Sequence, residues 1–519
     1  MGYPKCSMSL LSWLSLVAII LLQSINGTNT DFPAYSSQLK LHLNISQVQL
    51  NNLAVASDAG KLFGWISGTA ATYLPLQLVL SIGGTLGLIG YGIEYLFLVN
   101  KISHISYLEV FMLNMMAGNS ICWINTVCYL ASMMKFPVDN AIVVGLATSY
   151  QGLSAKVYIA MAQVIRGNNK DPSNKSIYLL LNSVVPMLSS LILIPFFKET
   201  EPAVSRNRTG LVILFMIACL TGAYAVVETM VSTKRVLSFM LLIMVMLVFM
   251  VPLMKVAGWL RERGCKPVRV VGDVQMSSVM VENFGGASSM EGEEADQEIG
   301  IKVTRVGDEH GVRELMKSLD FWLYFVVYLC GPTLGLVYGN NLGQIAASRS
   351  VSETLLVSIS SSFVFFGKLS SAPLSALSSR SRYMITKTAT VAALMAPMPW
   401  SFFLVINPSK ACLFISTAMV GMCSGAITSI AVSMTSELFG QKHFGVNHNI
   451  VVANIPIGSF LFGYIAACIY DVQEREHGVC IGSKCFHKTF IVWGSICSLG
   501  AILSFVLYFR TRQFLLKNK

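Results

Sequence analysis

Charged side chains are scarce in this chain. Asp, Glu, Lys and Arg together make up 12% of its 519 residues, about half of the roughly 25% usual in soluble domains. A soluble fold of this length needs more charge than that to cover its surface, so a water-soluble protein is excluded. Acidic residues are scarcer than basic ones, 26 against 37, giving a formal net charge of +11. The excess Lys and Arg sit in short segments between apolar runs. They form no basic patch interleaved with aromatics, which excludes nucleic acid as a partner. Catalytic signatures are missing too: there is no H-E-x-x-H, Walker A, G-x-S-x-G or C-x-x-C pattern, and each of those chemistries depends on its spacing. The chain therefore reads as no enzyme, with no cofactor. It also reads as binding no metal, because His443 and His448 are lone imidazoles without ligand spacing. Primary ATP-driven pumping is excluded for this chain alone.

Apolar sequence is abundant instead: 54% of residues are hydrophobic. A helix crosses the roughly 30 Å hydrocarbon core of a bilayer in about 20 residues. Runs of that length fall near 10–36, 52–73, 76–99, 107–131, 140–165 and 177–197, then 210–231 and 236–257. Six more fall near 319–341, 353–377, 386–407, 410–436, 447–470 and 488–510. This predicts an all-α membrane protein of about 14 transmembrane helices. The expected units are an N-terminal six-helix bundle (1–200), two additional helices (201–257), a cytoplasmic polar loop (258–318) and a C-terminal six-helix bundle (319–519). The loop contains Gly285-Gly286, Ser288-Ser289 and an acidic run from Glu291 to Glu298, a composition expected to stay mostly disordered. The first run also admits a signal-peptide reading after Lys5, but no small-x-small cleavage pattern follows it.

Basic clusters set the orientation, because cytoplasmic loops carry the excess of Lys and Arg. Arg261, Arg263, Lys266 and Arg269 follow the eighth run, Arg380, Arg382 and Lys387 the tenth, and Arg510, Arg512, Lys517 and Lys519 the last. An even number of spans separates them, so all lie on one face, read as cytoplasmic with both termini. Asn44-Ile-Ser46 and Asn174-Lys-Ser176 then fall outside as glycosylation candidates, while Asn207-Arg-Thr209 is cytoplasmic and unused. Cys480 and Cys485 share an outer loop, where a disulfide or two free thiols fit.

The two six-span halves echo each other, as in many transporter folds. Gly60-Lys61-Leu62 in the second run matches Gly367-Lys368-Leu369 in the tenth, and Gly118-Asn119 matches Gly421…Gly425. Longer motifs carry a resemblance. Asp31-Phe-Pro-Ala-Tyr-Ser-Ser37, Ala56-Ser-Asp-Ala-Gly-Lys61, Gly152-Leu-Ser154, Asn340-Asn-Leu-Gly-Gln344, Gly445-Val-Asn-His-Asn449 and Asn454-Ile-Pro-Ile-Gly458 resemble those of the plant nodulin-like, nuclear-fusion-defective-like carriers of the major facilitator superfamily. The resemblance spans nearly the whole chain. It implies the major facilitator fold, two six-helix bundles that rock to move a solute. Bacterial relatives of that family include oxalate and other carboxylate carriers, which use cations in the second half. Here Lys368 lies on a matching helix, but Asn447, Asn449 and Asn454 stand on the thirteenth run without a cation, a departure that puts oxalate itself in question.

An ionisable group at a helix centre costs about 2.5–3.5 kcal/mol on insertion scales, so it needs a partner or a wet cavity. Lys61 and Lys368 fall near the midplane, and Asp58, Glu94 and Lys156 lie outward of it. One reading is a cationic substrate site of Lys61, Lys156 and Lys368 for an anionic solute, with Asp58 or Glu94 carrying a proton. The competing reading pairs Asp58 with Lys61 and Glu94 with Lys156 as structural locks. Asn119 and Gln151 are further substrate-binding candidates, or interhelical glue, and glue is the reading favoured for Asn125. Arg380 and Arg382 are gate-loop candidates, or plain positive-inside anchors. The expected protein is a monomer in the plasma membrane or a vacuolar or endomembrane, carrying a small and possibly anionic solute, with co-transport of a proton left open. The alternative is a sensor on a carrier fold that signals through the 258–318 loop.

Overall fold

The computed structural model describes residues 5–45, 47–137, 139–166, 176–198, 208–231, 235–254, 309–380, 386–477 and 482–517. Among them there is no strand. The first half comprises α1 (Lys5–Ile25), α2 (Phe32–Leu43), α3 (Gln47–Ala59), α4 (Gly64–Tyr73), α5 (Leu76–Leu98), α6 (Tyr107–Lys135), α7 (Asn140–Gly152), α8 (Ser154–Arg166) and α9 (Ile177–Leu193). Two further helices follow, α10 (Arg208–Val231) and α11 (Arg235–Met246), the latter continuing as an apolar helical run to Met254. The second half comprises α12 (Val312–Lys317), α13 (Leu319–Tyr328), α14 (Leu334–Asn340), α15 (Leu342–Ser348), α16 (Glu353–Arg380), α17 (Lys387–Met395), α18 (Met398–Leu404), α19 (Lys410–Phe439), α20 (Phe444–Val452), α21 (Asn454–His477) and α22 (Lys484–Lys517).

Nine helices among the described residues are long and apolar enough to cross a membrane. The other expected runs are helical but interrupted, short or polar. The run expected over 10–36 stops at Ile25, where Gly27 and Asn29 precede Asp31 and a new helix that begins with Phe32-Pro33. Much of the outer loop expected after it is helical, as α2 and α3. Between α3 and α4 the chain tightens to a 3-10 turn at Gly60–Phe63, and α7 breaks from α8 at Leu153. α20 breaks from α21 beside Pro456, which has no N–H to give the preceding turn. α6 is long enough, but its amides keep it too polar to count. The described residues resume at Glu309, inside the polar loop expected to run to 318, and α12 follows.

Each half repeats one helix crossing. A Cβ on Gly60 would lie 2.0 Å from Met115 O, and one on Gly118 1.8 Å from Ser57 O. In the second half a Cβ on Gly367 would lie 2.1 Å from Met422 O, and one on Gly425 2.5 Å from Val364 O. Only glycine allows backbones this close, so α6 crosses the Gly60 turn as α19 crosses α16. The Gly-Lys-Leu echo in the sequence is thus a structural equivalence.

Two apolar cores result. One runs from Trp13 to Val251 and takes in α10 and α11 together with Phe365 and Leu369; the other runs from Leu315 to Leu507. The halves touch where α7 packs on α16 and α4 on α20. At the second contact a Cβ on Gly68 would meet Gly445 O at 2.3 Å.

Candidate functional site

A cavity of about 330 Å³ lies between the halves. Its walls come from the turn after α1, α2, α3, α5, α6 and α7 on one side, and from the π-turn Leu329–Thr333, α14, α16, α19 and α20 on the other. At the end of the bundle where α1 begins and α6 ends, Met133, Val144, Val432 and Phe444 form a separate apolar plug between the halves, two residues from each. Tyr129 and Leu130 pack against that plug.

Lys61 and Lys368 both line the cavity. Lys61 is 7% exposed, and its Nζ lies 2.6 Å from Asp58 Oδ1. The other carboxylate oxygen of Asp58 accepts from Ser459 Oγ at 2.7 Å and from Asn340 Nδ2 at 3.3 Å, both in the second half. With donors on both oxygens, Asp58 is satisfied as an anion. The i,i+3 pairing expected from the sequence is present, and it also ties the halves together. Lys368 meets a neutral partner: its Nζ donates to Gln151 Oε1 at 2.9 Å, across the interface. Among the described residues no carboxylate pairs with Lys368.

Other candidates sit elsewhere. Lys156 does not line this cavity; it turns away and donates to Ala225 O of α10, on the side of Glu228, which Ser238 Oγ approaches at 3.1 Å. The Glu94–Lys156 pair is not formed. Glu94 Oε1 instead accepts from Asn114 Nδ2 at 2.6 Å, buried between α5 and α6. The reason is the extra helix pair, which packs against α8 and gives Lys156 an acceptor on α10. Asn119 is glue: its amide donates to Gly60 O at 2.9 Å and its Oδ1 accepts from Trp123 Nε1 at 2.8 Å. Asn125 lines the cavity and is also a hub, its Oδ1 accepting from Gln23 at 3.1 Å, Asn26 at 2.9 Å and Gln151 at 3.4 Å.

Arg380 closes α16, while its side chain and Arg382 fall outside the described residues, as do Asn174, Asn207 and most of the 258–318 loop. Asn44 is exposed at the left-handed C-cap of α2, with φ 50°. Cys485 is disulfide-bonded; Cys480, its expected partner, lies outside the described residues.

Several interface groups carried no signal in the sequence, because Ser and Thr are common in apolar helices. Thr148 Oγ1 and Ser371 Oγ each lie 2.8 Å from Ser429 Oγ. Asn449 Nδ2 donates to Thr126 Oγ1 at 3.0 Å, and Ser67 Oγ lies 2.8 Å from the same hydroxyl. His448 is buried, stacked 5.2 Å from Phe444 and edge-on 5.5 Å from Tyr129. Apart from those of Asp58, Lys61 and Lys368, the hydrogen bonds named here between the halves are neutral, each worth about 1 kcal/mol net.

Residues 12–257 match the family described as nodulin-like, and residues 303–516 match NFD4, C-terminal domain. Over 528 residues the chain is 40% identical to the protein NUCLEAR FUSION DEFECTIVE 4 of Arabidopsis thaliana, covering 96% of this chain and 89% of that one. The chain belongs to this nodulin-like, NFD4-type family. Its fold is similar to those of solved transporters of the major facilitator superfamily. The proton:xylose symporter XylE, bound to 6-bromo-6-deoxy-D-glucose, matches with a TM-score of 0.57 at 12% identity, over 96% of this chain and 95% of that one. The E. coli fucose:proton symporter FucP matches with a TM-score of 0.52 at 10% identity, over 96% and 98%. At such identities the likeness is one of fold: two helical bundles, with nine helices among the described residues long and apolar enough to cross a membrane.

Proposed function

We propose that this protein is a secondary carrier that moves a small organic anion across a membrane by alternating access. The observation that carries the reading is Lys368. It is a cation in the wall of an inter-half cavity, held only by a neutral amide among the described residues. A buried charge of this kind is costly unless something compensates it, and a bound carboxylate would do so. Lys61 faces the same cavity at the equivalent place in the other half, but Asp58 already neutralises it, so the wall keeps one net positive charge for a solute. Gln151, Asn125 and Asn449 supply amide donors and acceptors beside it. Lys156 drops out of the proposed site because it faces α10.

Purified protein in vesicles tests this, using labelled oxalate, malate, succinate and citrate with and without a pH gradient. Saturable uptake of one of them that Lys368→Ala weakens is the expected result. The reading fails if none is taken up, or if Lys61→Ala and Lys368→Ala both leave uptake unchanged.

One observation favours the sensor alternative. Gln441 N and Lys442 N donate to the Glu309 carboxylate at 3.1 and 2.9 Å, and Asn447 Nδ2 donates to His310 O at 2.9 Å. These bonds fasten the end of the polar segment to the turn before Phe444 of the plug. Deleting residues 263–303 separates the readings: a carrier keeps its flux.

A further inference from the structure

Among the described residues of the first half three acids are buried, and their donors divide them into two kinds. Asp58 is satisfied on both oxygens, as an ion pair requires. Asp31 and Glu94 are not. Asp31 is 3% exposed and sits at the N-cap of α2, yet its side chain does not cap that helix. Its Oδ1 accepts from Asn182 Nδ2 at 2.9 Å, and Oδ2 has no hydrogen-bond partner. Glu94 is 0% exposed; Oε1 accepts from Asn114, and Oε2 has no partner. Among the described residues neither acid has a cation.

An ionised carboxylate is an acceptor on both oxygens, and burying one without a counter-charge or donors costs several kcal/mol or more. A neutral acid needs one donor to its carbonyl oxygen and carries its own hydrogen on the other. The donor pattern at both residues is that of the neutral acid.

The surroundings connect them to the cavity. Asp31 faces the tyrosines Tyr35 of α2, Tyr91 of α5, Tyr158 of α8 and Tyr178 of α9. Tyr35 and Tyr91 also face Glu94. The His42 ring packs 6.1 Å from Phe97, and its Nδ1 lies 3.3 Å from Gln38 O. Tyr91 Oη donates to Thr28 Oγ1 at 3.0 Å, and the backbone oxygen of Thr28 accepts from Asn182 at 3.4 Å, which links Tyr91 to Asp31. Tyr35, Tyr91 and Asn114 line the cavity, so one layer of side chains separates both acids from it.

We propose that Asp31 and Glu94 form a proton-binding site, each a neutral carboxylic acid in this conformation, with Tyr35 and Tyr91 standing between the acids and the cavity. Its use to couple a proton gradient to solute movement rests on the carrier reading; the site itself does not. Infrared spectroscopy of the full chain in nanodiscs tests it without any solute. At neutral pH a protonated-carboxyl band is expected that shifts when water is replaced by D₂O. Part of it is lost in Asp31→Asn, another part in Glu94→Gln, and none in Asp58→Asn. Tyr35→Phe with Tyr91→Phe should slow the D₂O shift. Should the amide variants not fold, Asp31→Glu and Glu94→Asp must move the band instead of deleting it. Absence of the band at neutral pH, as a sodium site with ionised acids would give, overturns the proposal. So does a band that D₂O leaves unmoved, or one indifferent to every Asp31 and Glu94 variant. A failure to find a transported anion leaves this result untouched.

Discussion

Lys61 and Lys368 are equivalent residues that have met different partners. Each follows the glycine at which its half's helices cross, but Lys61 Nζ lies 2.6 Å from Asp58 and Lys368 Nζ lies 2.9 Å from Gln151. One repeat element has thus become a charge-neutral tie between the halves, and the other an uncompensated cation in the cavity wall.

The two lysines should therefore respond differently to truncation. A charge-assisted hydrogen bond is worth about 1.5–3 kcal/mol, so Lys368→Ala should raise the half-saturation concentration for the transported anion about tenfold or more. Lys368→Arg should recover part of that loss. Concentration-dependent uptake into vesicles measures both.

Removing the acid of the other pair strands a buried ammonium. Asp58→Asn should destabilise the folded protein by about 3–5 kcal/mol, and Asp58→Asn combined with Lys61→Met should recover most of it, because an apolar replacement leaves no charge unpaired. Thermal unfolding of the detergent-solubilised protein gives the comparison.

Gly68 leaves no room for a side chain at the α4–α20 contact, its Cβ falling 2.3 Å from Gly445 O. Gly68→Val should hold the halves apart beside the apolar plug. A cysteine placed at Val144 should then react faster with a water-soluble maleimide than it does with Gly68 intact.

Coupling makes a separate prediction. With Asp31→Asn or Glu94→Gln, uptake driven by a pH gradient should fall toward the level seen without a gradient, while exchange of labelled for unlabelled anion at equal pH persists. Counterflow assays separate the two rates.

Orientation is checked by glycans. Expressed through a secretory membrane, the wild type should carry a glycan that Asn44→Gln removes, and Asn207→Gln should leave its gel mobility unchanged. A glycan on Asn207 would reverse the topology read from the basic clusters.

The sequence by itself determined that the chain is a helical membrane protein, where most of its apolar runs lie, and that Gly60-Lys61 and Gly367-Lys368 correspond. Those features are local: run length, charge content and a repeated tripeptide. The tertiary structure alone decided which side chains face the cavity. In a soluble helix the polar face marks the outside, but in lipid the outer and the packed faces are both apolar, so periodicity says little about direction. Hence Lys156 and Lys368 looked alike along the chain, although one points at α10 and the other into the cavity. Asp31 stood in the sequence only as the first residue of a motif, and Asn182, 151 positions away, shows which way its carboxyl turns.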